Sequence, residues 1–193
     1  MVVCVYGASS SHIDNIYVES CKSLGKALAE RGHDLVFGAG SEGLMGATAI
    51  GIKAGGGKVH GVIPKFFEEN GYEAIFYESD KLTRTETMAE RKAIMENECE
   101  AFIIVPGGNG TLEEFFQALT LKQLGRHSKP IALFNINGYF DKLDEFFKSC
   151  VEKGFIRKEC ERLYKIFDNE SELIDYIENY KSTDVDWSIL KKN

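Results

Sequence analysis

The chain has 193 residues, 44% hydrophobic and 27% charged, with 23 basic against 30 acidic side chains and a formal net charge of −7. At roughly 100 to 200 residues per domain this is one globular domain with material for a sizeable core. The acidic balance and the lack of any Lys/Arg run argue against a nucleic-acid partner, and no apolar stretch approaches the roughly 18 residues that span a bilayer.

Short Val/Ile/Phe-rich runs alternate with longer segments of helical period. The pattern predicts a strand over 2–6, a helix over 15–31, a strand over 34–37, a helix over 43–54, a strand over 58–62 and an edge strand over 74–77. A helix over 85–97, a strand over 101–105, a helix over 111–124 and a strand over 131–134 follow. The chain then continues with a helix over 139–153, an edge strand over 164–167 and a helix over 170–180. The fold class is α/β, an open parallel sheet with helices on both faces, in a single domain over residues 1–180. A tail over 181–193 carries the only tryptophan, Trp187, and is expected to dock as a strap because a wholly exposed Trp is uncommon. The five cysteines (Cys4, Cys21, Cys99, Cys150, Cys160) are odd in number and never spaced C-x-x-C. Buried thiols in a reducing compartment suit them better than disulfides or zinc, so no metal is expected. With no basic leader before the first strand, the expected location is cytoplasmic.

Glycine marks the loops that matter. Of 19 glycines, 13 lie in the first 71 positions and three between Gly107 and Gly110. In an open parallel sheet, ligands bind beyond the carboxyl ends of the strands where the order reverses. Three loops qualify: 7–12 with Ser9, 38–46 with Gly40 and Ser41, and 106–111. All are rich in Gly, Ser or Thr, which lets backbone amides approach an anion at the start of a helix, so a phosphate is the expected ligand.

Gly38-Ala39-Gly40-Ser41-Glu42-Gly43 matches G-x-G-x-x-G, but it follows the second strand and no ribose-binding acid appears about 20 residues on. That weakens an NAD(P) oxidoreductase in favour of mononucleotide or phosphate binding. Gly57-Lys58 is followed by Val59 where a Walker A motif needs Ser or Thr.

Pro106-Gly107-Gly108-Asn109-Gly110-Thr111-Leu112-Glu113-Glu114 is the strongest signal. One reading is structural, with Thr111 as N-cap and Glu114 closing a capping box. The other is a phosphate loop taking positive φ at Gly107, Gly108 or Gly110, with Glu114 one turn on and facing the ligand's sugar. On the preceding helix, Met88, Arg91, Lys92 and Met95 share a face. Arg91 there is either a snorkelling residue at a domain edge or a functional one.

The three motifs G-x-G-S-x-G-L-M-G-A, M-x-E-R-K and P-G-G-x-G-T-x-x-E, in that order, make the chain resemble the LOG (LONELY GUY) family. Its members are cytokinin riboside 5'-monophosphate phosphoribohydrolases, often labelled possible lysine decarboxylases. The resemblance implies a Rossmann-like homodimer that hydrolyses the N-glycosidic bond of AMP or an N6-modified AMP to free base and ribose 5-phosphate, without pyridoxal phosphate or another cofactor. It implies Arg91 and Glu114 as the catalytic pair, Gly108 to Thr111 (Gly108, Asn109, Gly110, Thr111) as the phosphate loop after Gly107, and Lys92 and Thr120 as further substrate contacts. Met45 and Met88 are the expected walls of a base pocket. Ala89 departs from the histidine many members carry after the methionine of M-x-x-R-K, and Phe66 from the threonine many plant-like members carry. Both departures bear on base specificity.

The chemistry can be argued independently. Breaking a ribosyl C–N bond passes through an oxocarbenium-like centre, next to which a carboxylate is suitable. A permanently charged, fork-shaped Arg91 suits phosphate or ribose oxygens and would favour an ionised Glu114. The helix after Thr111 carries Leu112, Phe115, Phe116, Ala118, Leu119, Leu121 and Leu124, apolar nearly all round, while one sheet covers only one face. A second copy is expected to cover the other, around Phe115 and Phe116. A nucleotide-binding or carrier module without hydrolysis stays open as a second class.

Overall fold

The computed structural model describes residues 1–71 and 73–182. The β-branched run Val2–Tyr6 (β1) pairs on both edges. Its side chains alternate with the period of two that a strand imposes: Val3 and Val5 enter one apolar layer, Cys4 and Tyr6 the other. The chain then runs α1 (Asn15–Glu30), β2 (Asp34–Phe37), α2 (Gly43–Ala54), β3 (Val59–Pro64), the short α3 (Lys65–Glu69), β4 (Lys81–Thr85), α4 (Met88–Glu98) and β5 (Ala101–Ile104). It closes with α5 (Asn109–Gln123), β6 (Ile131–Phe134), α6 (Asp141–Glu152), β7 (Lys165–Phe167) and α7 (Glu170–Asn179).

The seven strands form one parallel sheet in the order β4-β3-β2-β1-β5-β6-β7. One face carries α1, α2 and α7 with a core that includes Leu24, Leu28, Phe37, Ile52 and Leu173. The other carries α4, α5 and α6 around Tyr6, Met95, Phe102, Phe115 and Phe147. A sheet covered on both faces explains why its central strands read as continuous apolar runs. The fold is the expected α/β, Rossmann-like single domain.

Three expectations need correcting. Residues 74–77 are not an edge strand: Gly40 and Ile75 make one isolated antiparallel bridge, and the edge is Lys81–Thr85. The fourth helix starts at Met88, not at 85, because Thr87 caps it by accepting from the Glu90 amide at 3.1 Å. The fifth starts at Asn109, not at 111, so Thr111 lies inside its first turn and is no N-cap; no side chain caps this helix. Trp187 and most of the tail lie outside the described residues. All five cysteines are free thiols, four of them buried. Among the described residues no helix is long and apolar enough to cross a membrane.

Helices α1 and α2 pack backbone to backbone through glycine. A Cβ on Gly51 would overlap the Lys22 carbonyl and sit 2.9 Å from the Lys26 amide, and one on Gly25 would sit 3.0 Å from the Ile52 amide. Gly51→Val should therefore lower stability by about 2 kcal/mol in urea unfolding, the cost of overpacking a close contact. Ile50→Ala, on the exposed side of the same helix, should change it by only about 0.5 kcal/mol.

Candidate active site

The strand order reverses between β1 and β5: the chain leaves β1 towards β2, returns from β4 to β5, and moves on to β6. The loops beyond these two strands diverge and leave a crevice, as the switch-point rule requires. It is firmly built. The Ala8 amide donates to the Pro106 carbonyl at 3.1 Å, joining the two loops, and the Leu44 and Met45 amides at the start of α2 donate to the Ala8 carbonyl at 2.8 and 3.3 Å.

A cavity of about 370 Å³ occupies this crevice. Of the residues singled out from the sequence, it gathers Ser9, Met45, Met88, Arg91, Gly108, Gly110, Thr111 and Glu114. A larger cleft of about 480 Å³ lies beyond β6 and β7, but Asp141, Asp144, Glu161 and Asp168 outnumber Lys148 and Lys165 in its lining, and the net negative charge disfavours a phosphate.

Arg91 decides the character of the crevice. It is 5% exposed, which removes the snorkelling reading. Its Nε donates to the Val62 carbonyl at the end of β3 at 3.2 Å, and its guanidinium carbon lies 5.9 Å from the centre of the Phe67 ring. A Cβ on Gly38 would overlap the guanidinium, so the first glycine of the G-x-G-x-x-G segment makes room for an arginine. Glu114 is 7% exposed, with Oε1 3.7 Å from Arg91 Nη1. At that separation the charges attract without a hydrogen bond. Burial pushes the Glu114 carboxyl up to about 7, against the opposing pull of Arg91. The capping-box reading of Glu114 fails with the helix start: the residue lies a turn beyond the first amides.

The N-terminus of α5 forms the other wall. Gly108 is its N-cap and Asn109, Gly110 and Thr111 its first turn, so the orphan amides of this turn have no capping side chain. None of Gly107, Gly108 and Gly110 takes positive φ, contrary to the sequence expectation. Glycine serves closeness here. A Cβ on Gly107 would overlap Thr111 and come within 2.9 Å of the Ala8 amide, whereas at Gly108 and Gly110 it would project into open space on the cavity's rim.

Other expected residues border the cavity or stand apart. Gly40 lies under Glu73, and the Lys92 ammonium meets Glu113 at 2.5 Å. Gly107 lines a separate apolar recess and Ser41 a shallow pocket beside α1. Asn109 and Thr120 are exposed on α5 and do not line the cavity. Sequence reasoning missed Phe67, Glu73 and Glu113, all of which line it. Glu73 sits on the loop before β4, held by Ser41 N–H to Ala74 O and Phe76 N–H to Ala39 O, both at 2.8 Å. A Cβ on Gly40 would be 2.5 Å from its Oε1, and burial raises its carboxyl above the usual range while Arg91 opposes.

The family described as possible lysine decarboxylase matches residues 45–177. A probable cytokinin riboside 5'-monophosphate phosphoribohydrolase of Oryza sativa subsp. japonica is 39% identical over 180 residues, covering 92% of this chain and 72% of the relative. A cytokinin riboside 5'-monophosphate phosphoribohydrolase of Arabidopsis thaliana is 40% identical over 181 residues, covering 93% and 82%. The chain belongs to the LOG family. Among solved structures, the molybdenum cofactor carrier protein of Chlamydomonas reinhardtii superposes with a TM-score of 0.69 at 24% identity, covering 92% of this chain and 95% of that one, a likeness of fold. The three motifs singled out from the sequence converge on the crevice: Met45 from the first, Met88 and Arg91 from the second, Gly108, Gly110, Thr111, Glu113 and Glu114 from the third.

The raised carboxyl has a consequence for stability. Because Glu114 holds its proton to about pH 7 when folded and to about 4.3 when unfolded, the folded state binds more protons in that window and loses stability as pH rises through it. Glu114→Gln removes this dependence. Its stability relative to the parent should shift in the variant's favour by about 1 to 3 kcal/mol between pH 5 and pH 8. Urea unfolding at the two pH values checks this, and an unchanged difference would mean that the carboxyl is not raised.

Proposed function

We propose that the chain is a hydrolase cleaving the N-glycosidic bond of purine nucleoside 5'-monophosphates, of AMP and N6-modified AMP type, to free base and ribose 5-phosphate. This is the cytokinin-activating reaction named for its relatives. The observation that carries it is one crevice in which an uncapped helix N-terminus and, about a turn further along the same helix, a buried carboxyl raised to about 7 stand beside a buried arginine of α4.

In this reading the amides of Gly108, Asn109, Gly110 and Thr111 hold the phosphate, favoured by the helix dipole. Glycine at 108 and 110 leaves the rim open for its oxygens. Met45, Met88 and Phe67 supply the apolar wall for the base. Arg91 binds phosphate or ribose oxygens and raises the ionised fraction of Glu114. Ionised Glu114 stabilises positive charge developing at the anomeric carbon and takes the proton of the attacking water. The water oxygen bonds to that carbon as its bond to the base nitrogen breaks; the base leaves with the electron pair and takes up a proton. No cofactor or metal is needed. Ser9 stays in the proposed site as part of its lining and Gly40, Lys92 and Gly107 as its border, while Ser41 and Thr120 stand apart from it. Ala89 and Phe66, the departures from the family pattern, do not line the cavity of this chain.

AMP and its N6-isopentenyl derivative should yield free base and ribose 5-phosphate, and adenosine hardly any. Glu114→Gln should lower kcat by roughly 10²-fold with the fold intact. Near-normal turnover by that variant would remove the catalytic role, and comparable kcat/KM for adenosine and AMP would remove the phosphate assignment.

The protein is further proposed to act in the cytoplasm as a homodimer. Phe115, expected at the interface, is buried in its own core and contributes no free surface. Phe116, Phe146 and Phe155, at 38%, 62% and 82% exposure, flank the α5–α6 face instead, with Phe147 between them. Such an apolar patch fits a self-complementary interface. Sedimentation at micromolar concentration should give a dimer, and Phe116→Glu with Phe146→Glu should return it to the 21.6 kDa monomer.

A further inference from the structure

The loop between β6 and α6 has no part in the reading above, yet it is built with unusual care. The Asn135 side chain brackets it: Oδ1 accepts from the Phe140 amide at 2.7 Å, and Nδ2 donates to Asp141 and Asp168, each at 2.8 Å. Asn137 (φ 53°) and Gly138 (φ 71°) then take two successive left-handed steps, which L-residues other than Gly and Asn adopt at a cost. The result is to present Tyr139. Its ring stands edge-on to Tyr17 of α1, with centroids 6.2 Å apart, and edge-on to Phe140 at 5.1 Å. Its hydroxyl donates to the Gly107 carbonyl at 2.7 Å.

That bond falls on a sensitive peptide unit. In a trans peptide the carbonyl of one residue and the amide of the next point in opposite directions, and the described chain contains no cis bond. The Gly107–Gly108 unit separates two spaces: the apolar recess where Tyr139 lies beside Tyr17, Ile13 and Leu44, and the crevice cavity that Gly108 also lines. Pinning the Gly107 carbonyl on the Tyr139 side directs the Gly108 amide to the other, alongside the amides of Asn109 to Thr111. Two adjacent glycines would otherwise let this peptide plane rotate at little steric cost. The freedom that admits close approach of an anion also blurs the donor array, and the tyrosine hydroxyl removes it.

We infer that Tyr139 is a positioning residue for phosphate recognition, holding the Gly107–Gly108 peptide so that the Gly108 amide faces the bound phosphate. The inference rests on the nucleotide reading of the crevice. It assigns the hydroxyl an effect on affinity, not on bond cleavage, because ground state and transition state share the phosphate contact.

The test compares Tyr139→Phe, which keeps the ring, with Tyr139→Leu, which loses ring and hydroxyl. Calorimetric titration with ribose 5-phosphate and with inorganic phosphate should show binding weakened roughly five- to tenfold in both variants, about the worth of one neutral hydrogen bond. For AMP, KM should rise by the same factor with kcat within about twofold of the parent. Melting of the Phe variant should match the parent and that of the Leu variant should fall. Parent-like binding by Tyr139→Phe, with weakening only in Tyr139→Leu, would overturn the inference and leave the ring as mere packing. So would a fall in kcat at unchanged KM. A parent protein that binds neither phosphate probe and cleaves no AMP would overturn the nucleotide reading itself, and this inference with it.

Discussion

The burial of Arg91 is the constraint on which the site depends. A guanidinium carried into the crevice between β1 and β5 is costly unless charge and hydrogen bonds compensate, and the surrounding chain is arranged to do this. The carboxyl end of β3 gives up the Val62 carbonyl, Gly38 gives up its side chain, and Phe67 of α3 offers a ring face. The cation in turn offsets the burial of Glu114 and the partial burial of Glu73 nearby. Its compensation is incomplete, since burial still outweighs it in setting the Glu114 carboxyl near 7. A pair held 3.7 Å apart without a hydrogen bond is poor stabilisation. In the proposed reaction it suits a group that exchanges a proton at neutral pH.

What the sequence revealed depends on which physical signal each part leaves. The central strands are covered on both faces, so their Val/Ile/Phe runs stood out, and the order of motifs placed the crevice loops correctly. The edge strand Lys81–Thr85 left no such signal. It reads Lys-Leu-Thr-Arg-Thr, with the charged and polar side chains that blunt an exposed edge, while the more apolar 74–77 nearby is spent on docking Glu73 against the loop after β2. Two helix starts were misplaced: α4 begins after its Thr87 cap, beyond the expected start at 85, and α5 begins after an uncapped Gly108, ahead of the expected Thr111 cap. The Thr87-x-x-Glu90 signature was readable in advance; an absent cap leaves no residue to read. Phe67 reaches the cavity from the one-turn helix α3 and Glu73 from the loop that follows it, and no local pattern marks either.

Helix α5 meets several demands with one segment. Its first turn keeps its amides free, its second turn buries a carboxyl, and its middle carries Phe115, Ala118 and Leu119 into the core. Its last turn buries Lys122, whose ammonium lies 4.6 Å from the Tyr180 ring and is pushed down to about 7 by burial. The all-round apolar character read from the sequence does not translate into all-round burial: Phe116 and Thr120 are exposed, Leu112 and Leu121 are half-buried, and a lysine takes one of the buried positions. Phe116 is left exposed on the remaining face, and Phe146 and Phe155 lie around Phe147 next to it.

Departures from local rules collect in one place. Ala39, not a glycine, sits at φ 64°, a helix begins without a cap, a carboxyl is buried next to an imperfect partner, and two adjacent glycines stand in the connection between β5 and α5. Elsewhere the strands, the α1–α2 glycine packing and the two-sided core follow the simplest expectations. A module that only carried a nucleotide would need the open amides and the apolar wall. It would have no use for a buried acid near neutrality, since a carboxylate beside the ligand opposes the phosphate and adds nothing to base stacking. The position of Glu114, within the crevice and beyond the turn it would cap, is therefore the feature on which the proposed hydrolysis, as against storage, rests. The same scaffold, with that one side chain made neutral, would still meet every requirement of a carrier.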